Sequence, residues 1–150
     1  MRRLFLILTV LVLVAASASA ATGKVIKVLP HFLDHKGRHA LSPSLYDRDA
    51  YQAKLRTNPA LRSALRWDVK WRVRGGLFGT LKLKVEMRGV ATGNLPRQAT
   101  LEHEIKSGKS DWTSLTLDGE EYKKLGEVTA WRVTLWEGDQ MICEQKSFLW

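Results

Sequence analysis

The sequence predicts an all-β protein, an antiparallel β-sandwich of immunoglobulin-like arrangement with one short helix near residues 45–57. Six or seven short strand patterns follow one another along the chain, and glycine-containing turns separate most of them. Strand number and spacing of this kind are typical of sandwiches, and a small closed barrel is the alternative. The Cys-Trp-Cys pattern of antibody domains is absent, so the prediction depends on strand count and spacing alone.

Residues 1–20 have the three parts of a cleaved secretory signal peptide. Arg2 and Arg3 form the positive start, residues 4–15 are apolar apart from Thr9, and residues 18–20 suit a signal peptidase. A membrane-spanning helix needs about 20 apolar residues, and this run is shorter. We therefore expect a single mature domain over residues 21–150, periplasmic or secreted, with no transmembrane segment after cleavage.

The first elements after the signal peptide are a short strand and a helix. Residues 25–29 are predicted to form a short strand, which Pro30 is expected to end. After a polar loop, Ser44 begins a Ser-x-x-Asp pattern that is typical of a helix N-terminus. The helix should end before Asn58-Pro59, since proline cannot continue it.

Two strands with strict alternation follow, and each predicts one buried and one solvated face. The first interleaves Leu65, Trp67, Val69, Trp71 and Val73 with Arg66, Asp68, Lys70, Arg72 and Arg74. The second interleaves Leu81, Leu83, Val85 and Met87 with Lys82, Lys84, Glu86 and Arg88. Gly89, Gly93 and Pro96 are expected to break the chain after it.

The last third of the chain has weaker signals. Strands are expected over residues 99–105 and 112–117, with one helical turn over 120–125. Two longer strands over 128–136 and 141–150 finish the domain. Gly138-Asp139 between them suits a two-residue hairpin with glycine first, as a type II′ turn requires.

The charge pattern indicates a binding surface for an anionic partner. The chain carries 24 Lys and Arg against 15 Asp and Glu, a net charge of +9. If the two alternating strands are hairpin neighbours, Arg72, Arg74, Lys82 and Lys84 share one face and form a candidate anion-binding site. If the strands belong to different sheets, the group divides. We expect an anionic envelope polymer or a secreted protein as partner; export argues against nucleic acid.

A histidine-rich segment, HFLDHKGRH, offers an alternative function as a metal-binding protein or metalloenzyme. His31, Asp34, His35 and His39 are of the types that bind zinc, copper or nickel. Gly37 makes a helix doubtful here, and no known metal signature matches. The other interpretation is a polar loop with solvated histidines, and no other cofactor is predicted.

Six tryptophans suggest a further alternative, a polysaccharide-binding domain. Trp67, Trp71 and Trp131 are in phase with aliphatic neighbours, which predicts core positions for them, and Trp112, Trp136 and Trp150 remain as the candidates for an exposed strip. Cys143, the one cysteine, is expected to be a buried thiol. No nucleophile–base motif or phosphate-binding loop is present, which favours a non-enzymatic binding or structural module.

Several segments together resemble a family of small secreted bacterial proteins without an assigned activity. They are VLPHFLDHKGRHALSPSLYDRDAYQ (28–52), LRWDVKWRVRG (65–75), GEVTAWRVTLWEGDQ (126–140) and EQKSFLW (144–150). The resemblance implies export and a compact β-rich domain. It assigns no catalytic or binding residue.

Overall fold

The computed structural model describes residues 21–77, 79–106 and 108–150, so the predicted signal peptide lies outside the described residues. The strands of the described chain are β1 (Thr22–Asp34), β2 (Arg62–Arg74), β3 (Leu81–Ala91), β4 (Leu95–Ile105), β5 (Ser110–Leu117), β6 (Glu127–Glu137) and β7 (Gln140–Lys146). The helices are α1 (Leu45–Thr57) and α2 (Gly119–Leu125), and a 3₁₀ turn covers Pro59–Leu61. In this part of the chain, neither α-helix has the length and apolar character needed to cross a bilayer.

The strands form two antiparallel sheets, and the predicted β-sandwich is confirmed. One sheet has the order β1-β2-β5, and the other has the order β4-β3-β6-β7. The chain therefore changes sheet after β2, after β4 and after β5, as in immunoglobulin-like sandwiches. The fourth strand lies beside the third, whereas in constant-type immunoglobulin domains it lies beside the fifth.

The alternation in β2 and β3 places one face of each strand in the core. Trp67 and Trp71 are almost fully buried, and each indole N–H has a partner. Trp67 donates to Met87 Sδ at 3.1 Å, and Trp71 donates to Thr113 Oγ1 at 2.9 Å. The half-buried Trp131 packs against Trp67, with 5.7 Å between ring centroids. The predicted core positions of these three tryptophans are confirmed.

Two predicted strand ends are wrong for physical reasons that the sequence pattern does not show. β1 continues through Pro30, because β1 is an edge strand and the missing N–H does not break a ladder bond. β3 continues past Gly89 with a bulge in its pairing to β6. A Cβ at Gly89 would lie 2.5 Å from the carbonyl oxygen of Leu125, so this glycine makes room for α2.

Both halves of the outer edge of β1 are covered. Near its start, a Cβ at Gly23 would lie 2.7 Å from Ile142 of β7, and the N–H of Val25 donates to the sulfur of Cys143. Cys143 is a half-buried free thiol, and burial raises its pKa. Toward its end, the side-chain amide of Gln52 in α1 forms hydrogen bonds with the backbone N–H and carbonyl of Phe32.

Candidate functional site

The structure divides the four predicted anion-binding residues into two pairs. Arg72 and Arg74 lie on β2, in the three-stranded sheet, whereas Lys82 and Lys84 lie on β3, in the four-stranded sheet. All four alternate with core residues, so the two pairs point away from each other on opposite faces of the sandwich. Of the two arrangements that the sequence left open, one shared face or a divided group, the structure has the divided group.

Lys82 and Lys84 belong to a network of ion pairs on the outer face of the four-stranded sheet, here called the ion-paired face. Lys82 pairs with Glu102 at 3.3 Å, and Lys84 lies 3.8 Å from Glu86. Glu86 also accepts a hydrogen bond from Arg132. Further pairs join Lys84 to Glu102, Arg132 to Glu144 and Lys146 to Glu144. Lys82, Lys84, Arg132 and Lys146 are therefore each paired with a glutamate, while Arg88 on the same face lies over the ring of Trp150.

The outer face of the three-stranded sheet has a different charge balance. It carries a group of five cations, here called the basic face, made of Lys24, Lys27, Lys70, Arg72 and Arg74. None of them forms an ion pair or a side-chain hydrogen bond with another residue in the described chain. The strand register places Lys24 opposite Arg72 and Lys27 opposite Lys70. Like charges directly opposite each other are unfavourable, so this face favours an anionic partner.

The geometry of the basic face is fixed by the sheet. Side chains on one face of a strand repeat about every 6.7 Å, and neighbouring strands lie about 4.8 Å apart. Lys70, Arg72 and Arg74 therefore form a row along β2, with Lys27 and Lys24 beside it on β1. A hollow of about 510 Å³ at one end is lined by Lys24, Ile26, Arg72 and Arg74 among others.

Trp112 lies at the margin of the basic face, on the edge strand β5. It is 46% exposed and stands in the same cross-strand row as Lys70 and Lys27. The Lys70 ammonium lies 5.9 Å from the centroid of the Trp112 ring system. A cation near the ring face is attracted by the ring quadrupole. Trp112 is therefore an exposed aromatic residue next to cations.

The other two tryptophans that the sequence left for a strip lie elsewhere. Trp136 is half-buried on the four-stranded sheet and donates its indole N–H to Thr134. Trp150 is half-buried as well, with the guanidinium carbons of Arg88 and Arg132 at 4.2 Å and 5.2 Å from its ring centroid. The three tryptophans do not form one exposed strip.

A cleft opens beside Trp112, between the end of β4 and the start of β5. Its volume is about 350 Å³. Its polar lining includes His103, Glu104, Lys106, Asp111, Thr113 and Ser114. The cleft thus offers carboxylate, imidazole and hydroxyl groups immediately next to an exposed aromatic ring.

The predicted metal-ligand group does not converge. His31 lies on β1 and is buried, with its Nδ1 3.0 Å from the carboxylate of Asp68. The ring of His39 lies 5.2 Å from that of His31. His35 instead contacts the carbonyl oxygen of Ala60 through its Nε2.

Asp34 is occupied in shaping the turn that follows β1. Its oxygens accept hydrogen bonds from the backbone N–H groups of Lys36 and Arg38, from the Arg38 side chain and from the Tyr51 hydroxyl. Burial raises the pKa of Asp34, but these hydrogen bonds outweigh it and hold the pKa well below its usual range. Within residues 21–77, 79–106 and 108–150, no group of three or more metal-ligating side chains is placed to hold an ion. The metal hypothesis gains no support from this geometry.

The sequence did not reveal a cluster centred on Asp68. Its carboxylate contacts His31, and it accepts hydrogen bonds from Arg66 and from Ser114, the last at 2.5 Å. Burial raises the pKa of Asp68, but the hydrogen bonds of His31 and Ser114 and the charge of Arg66 outweigh it and leave the pKa well below normal. The pKa of His39 is lowered, chiefly by burial and then by the charge of Arg66. From the sequence, Asp68 stands out only as the one acidic residue among the charged residues of β2.

The order of contacts in this cluster argues against nucleophilic catalysis. In serine hydrolases the imidazole lies between the serine and the carboxylate and takes the hydroxyl proton. Here Asp68 lies between Ser114 and His31, so the hydroxyl meets a carboxylate. Because the pKa of Asp68 is low, that carboxylate is a weak base. The cluster neutralises Arg66 and orders the end of the face that adjoins the five cations.

Known proteins show little likeness to this chain. No family model and no curated protein matches the chain. Among solved structures, the chain is similar to an immunoglobulin-like protein from Pseudomonas aeruginosa, with 9% identity, a TM-score of 0.36, and coverage of 87% of this chain and 97% of the other. A likeness at that level carries no argument about this protein. The class that the fold and the face define is a β-sandwich module with one basic outer face.

Proposed function

We propose that the protein is a non-enzymatic binding module that works outside the cytoplasm and holds an anionic macromolecule on its basic face. The observation that carries this proposal is the difference between the two outer faces. One face pairs Lys82 and Lys84 with glutamates, while the other leaves Arg72 and Arg74 without an ion pair in the described chain. An anionic partner would supply the missing counter-charges.

Two further points support the proposal. The cations of β2 extend from a paired strand in the middle of its sheet, so their spacing is fixed before a ligand arrives. Binding to such a preorganised surface loses less conformational entropy than binding to a flexible tail. The pattern of residues 1–20 favours a location in the periplasm or the extracellular medium. We include in this proposal that the protein is a member of the family of small secreted bacterial proteins that it resembles.

The molecule supplies its own matched control for a test. Arg72→Gln/Arg74→Gln removes two charges from the basic face, and Lys82→Gln/Lys84→Gln removes two charges from the ion-paired face. We expect the wild type and the second variant to elute from a heparin column at similar salt, and the first variant to elute much earlier. Circular dichroism and thermal unfolding verify that both variants are folded.

Two results would overturn the proposal. Equal loss of retention in both variants would mean that net charge alone is responsible, with no site on the three-stranded sheet. Passage of the wild type through the column at low salt, with no binding to polygalacturonate or another soluble polyanion, would mean that the basic face holds no anionic polymer.

A further inference from the structure

We infer that the anionic partner is an acidic polysaccharide, with its charged sugars on the basic face and one sugar ring stacked on Trp112. This inference rests on the proposed function and names the ligand class for the same face. It depends on how Trp112, the cations and the neighbouring cleft are placed relative to one another.

The cations and the aromatic ring occupy successive cross-strand rows. One row contains Lys24, Arg72 and Ser110, and the next contains Lys27, Lys70 and Trp112. A ligand that crosses the three strands along the second row passes from cations to an exposed ring. A sugar has an apolar ring face and a polar rim, so an amphipathic aromatic side chain suits it.

The groups around Trp112 favour sugar over nucleic acid. Single-stranded nucleic acids also combine stacking with a cationic groove, so cations and an aromatic residue do not distinguish the two classes. The cleft beside Trp112, however, is lined by the carboxylates of Asp111 and Glu104, together with Lys106 and His103. A carboxylate accepts hydrogen bonds from the hydroxyls that a sugar ring carries, whereas the phosphate groups of single-stranded DNA have no hydrogen to donate.

The position of the ring also fits a binding role better than a packing role. Trp112 lies on the edge strand β5, and its backbone N–H donates to the side chain of Asp111 at 2.7 Å. The indole is held near Lys70 but is only about half covered. Burying the remaining ring surface under a sugar would add apolar contact without any rearrangement of the sheet.

The experiment compares three ligands and three variants by titration calorimetry. The ligands are polygalacturonate, single-stranded oligo-dT and polyphosphate, matched in charge concentration. The variants are Trp112→Ala, Trp112→Phe and Phe148→Ala, the last a control because Phe148 is fully exposed away from the face. We expect Trp112→Ala to weaken polygalacturonate binding at least fivefold, the lower end of aromatic stacking effects, and to leave polyphosphate unchanged. Trp112→Phe should retain most of the affinity, and Phe148→Ala should match the wild type.

The outcomes separate this inference from the proposed function. If Arg72→Gln/Arg74→Gln loses all three ligands but Trp112→Ala binds polygalacturonate normally, the basic face is confirmed and the polysaccharide inference is overturned. If oligo-dT binds more tightly than polygalacturonate and depends on Trp112, the ligand is a nucleic acid and the inference is again overturned. If no polyanion binds the wild type, the proposed function itself fails.

Discussion

Replacing Gln52 by leucine should uncover the edge of β1 and loosen the segment that carries His39. The side-chain amide of Gln52 is buried and makes three hydrogen bonds. Its Oε1 accepts from the N–H of Phe32 at 2.9 Å, and its Nε2 donates to the carbonyls of Phe32 and His39 at 2.9 Å and 2.8 Å. The amide therefore takes the place of a neighbouring strand at this point of the edge.

The expected loss of stability in Gln52→Leu follows from the polar groups that the substitution leaves without hydrogen-bond partners. Leucine has a similar volume but cannot bond, so one N–H and two carbonyls lose their partner. A buried polar group left unsatisfied costs about 1–3 kcal/mol, and solvent can reach part of this site, so the expected total is about 3 kcal/mol. For a domain of this size, that corresponds to a decrease in Tm of about 10 °C.

Urea unfolding followed by tryptophan fluorescence and by circular dichroism measures the change. Gln52→Glu is the matched variant, because it keeps an acceptor for Phe32 N–H but loses both donated hydrogen bonds. The carboxylate would face two carbonyls, which raises its pKa. The stability of Gln52→Glu relative to the wild type should therefore improve as the pH falls from 7, because the protonated carboxyl group can donate a hydrogen bond. A loss below about 0.5 kcal/mol for Gln52→Leu, the usual range of surface substitutions, would refute this account of the edge.

Three further predictions concern packing, acid stability and salt. Gly89→Ala should destabilise the domain by about 1–3 kcal/mol, because the new Cβ meets the backbone of Leu125 at 2.5 Å, and an unchanged midpoint in urea would contradict this. The folded-state pKa of Asp34 is lowered, so its contribution to the free energy of unfolding is fully present above the unfolded pKa near 3.9 and is lost as the pH falls through the folded pKa. Asp34→Asn should therefore be less stable than the wild type at pH 7 and should lose less stability on acidification. Parallel curves of stability against pH for the two proteins would contradict this. The log–log dependence of heparin affinity on salt should become shallower by about 2 in Arg72→Gln/Arg74→Gln, one for each cation removed, and an identical slope would show that neither cation contacts the polymer.

The parts of the fold that the sequence predicted are those in which one local pattern is repeated. The alternation of β2 identifies its buried and solvated faces, because five apolar residues in phase outweigh any single irregularity. The start of α1 is set by the Ser44 cap, whose hydroxyl accepts from the N–H of Asp47. Gly138 has a φ of 54°, as the predicted hairpin turn requires.

The parts that were missed depend on which strands become neighbours. Pro30 would end β1 only if β1 had a neighbouring strand on both sides, and Gly89 is needed within β3 because α2 packs against it. The same limit applies to the site. His31 and Ser114 are 37 and 46 positions from Asp68, so no local spacing brings them together. Periodicity showed which tryptophans face the core, but not that two arginines would cover Trp150.

The division of charge between the two outer faces also gives the molecule a direction. The sheets of a sandwich are stacked about 10 Å apart, so the basic face and the ion-paired face lie on opposite sides of the molecule. In the field of an anionic surface or polymer, such a molecule turns as it approaches, and the three-stranded sheet arrives first. The side that carries Trp150 and the exposed Phe148 then faces outward. A label or a second protein attached to that side would remain accessible while the basic face holds its anionic polymer.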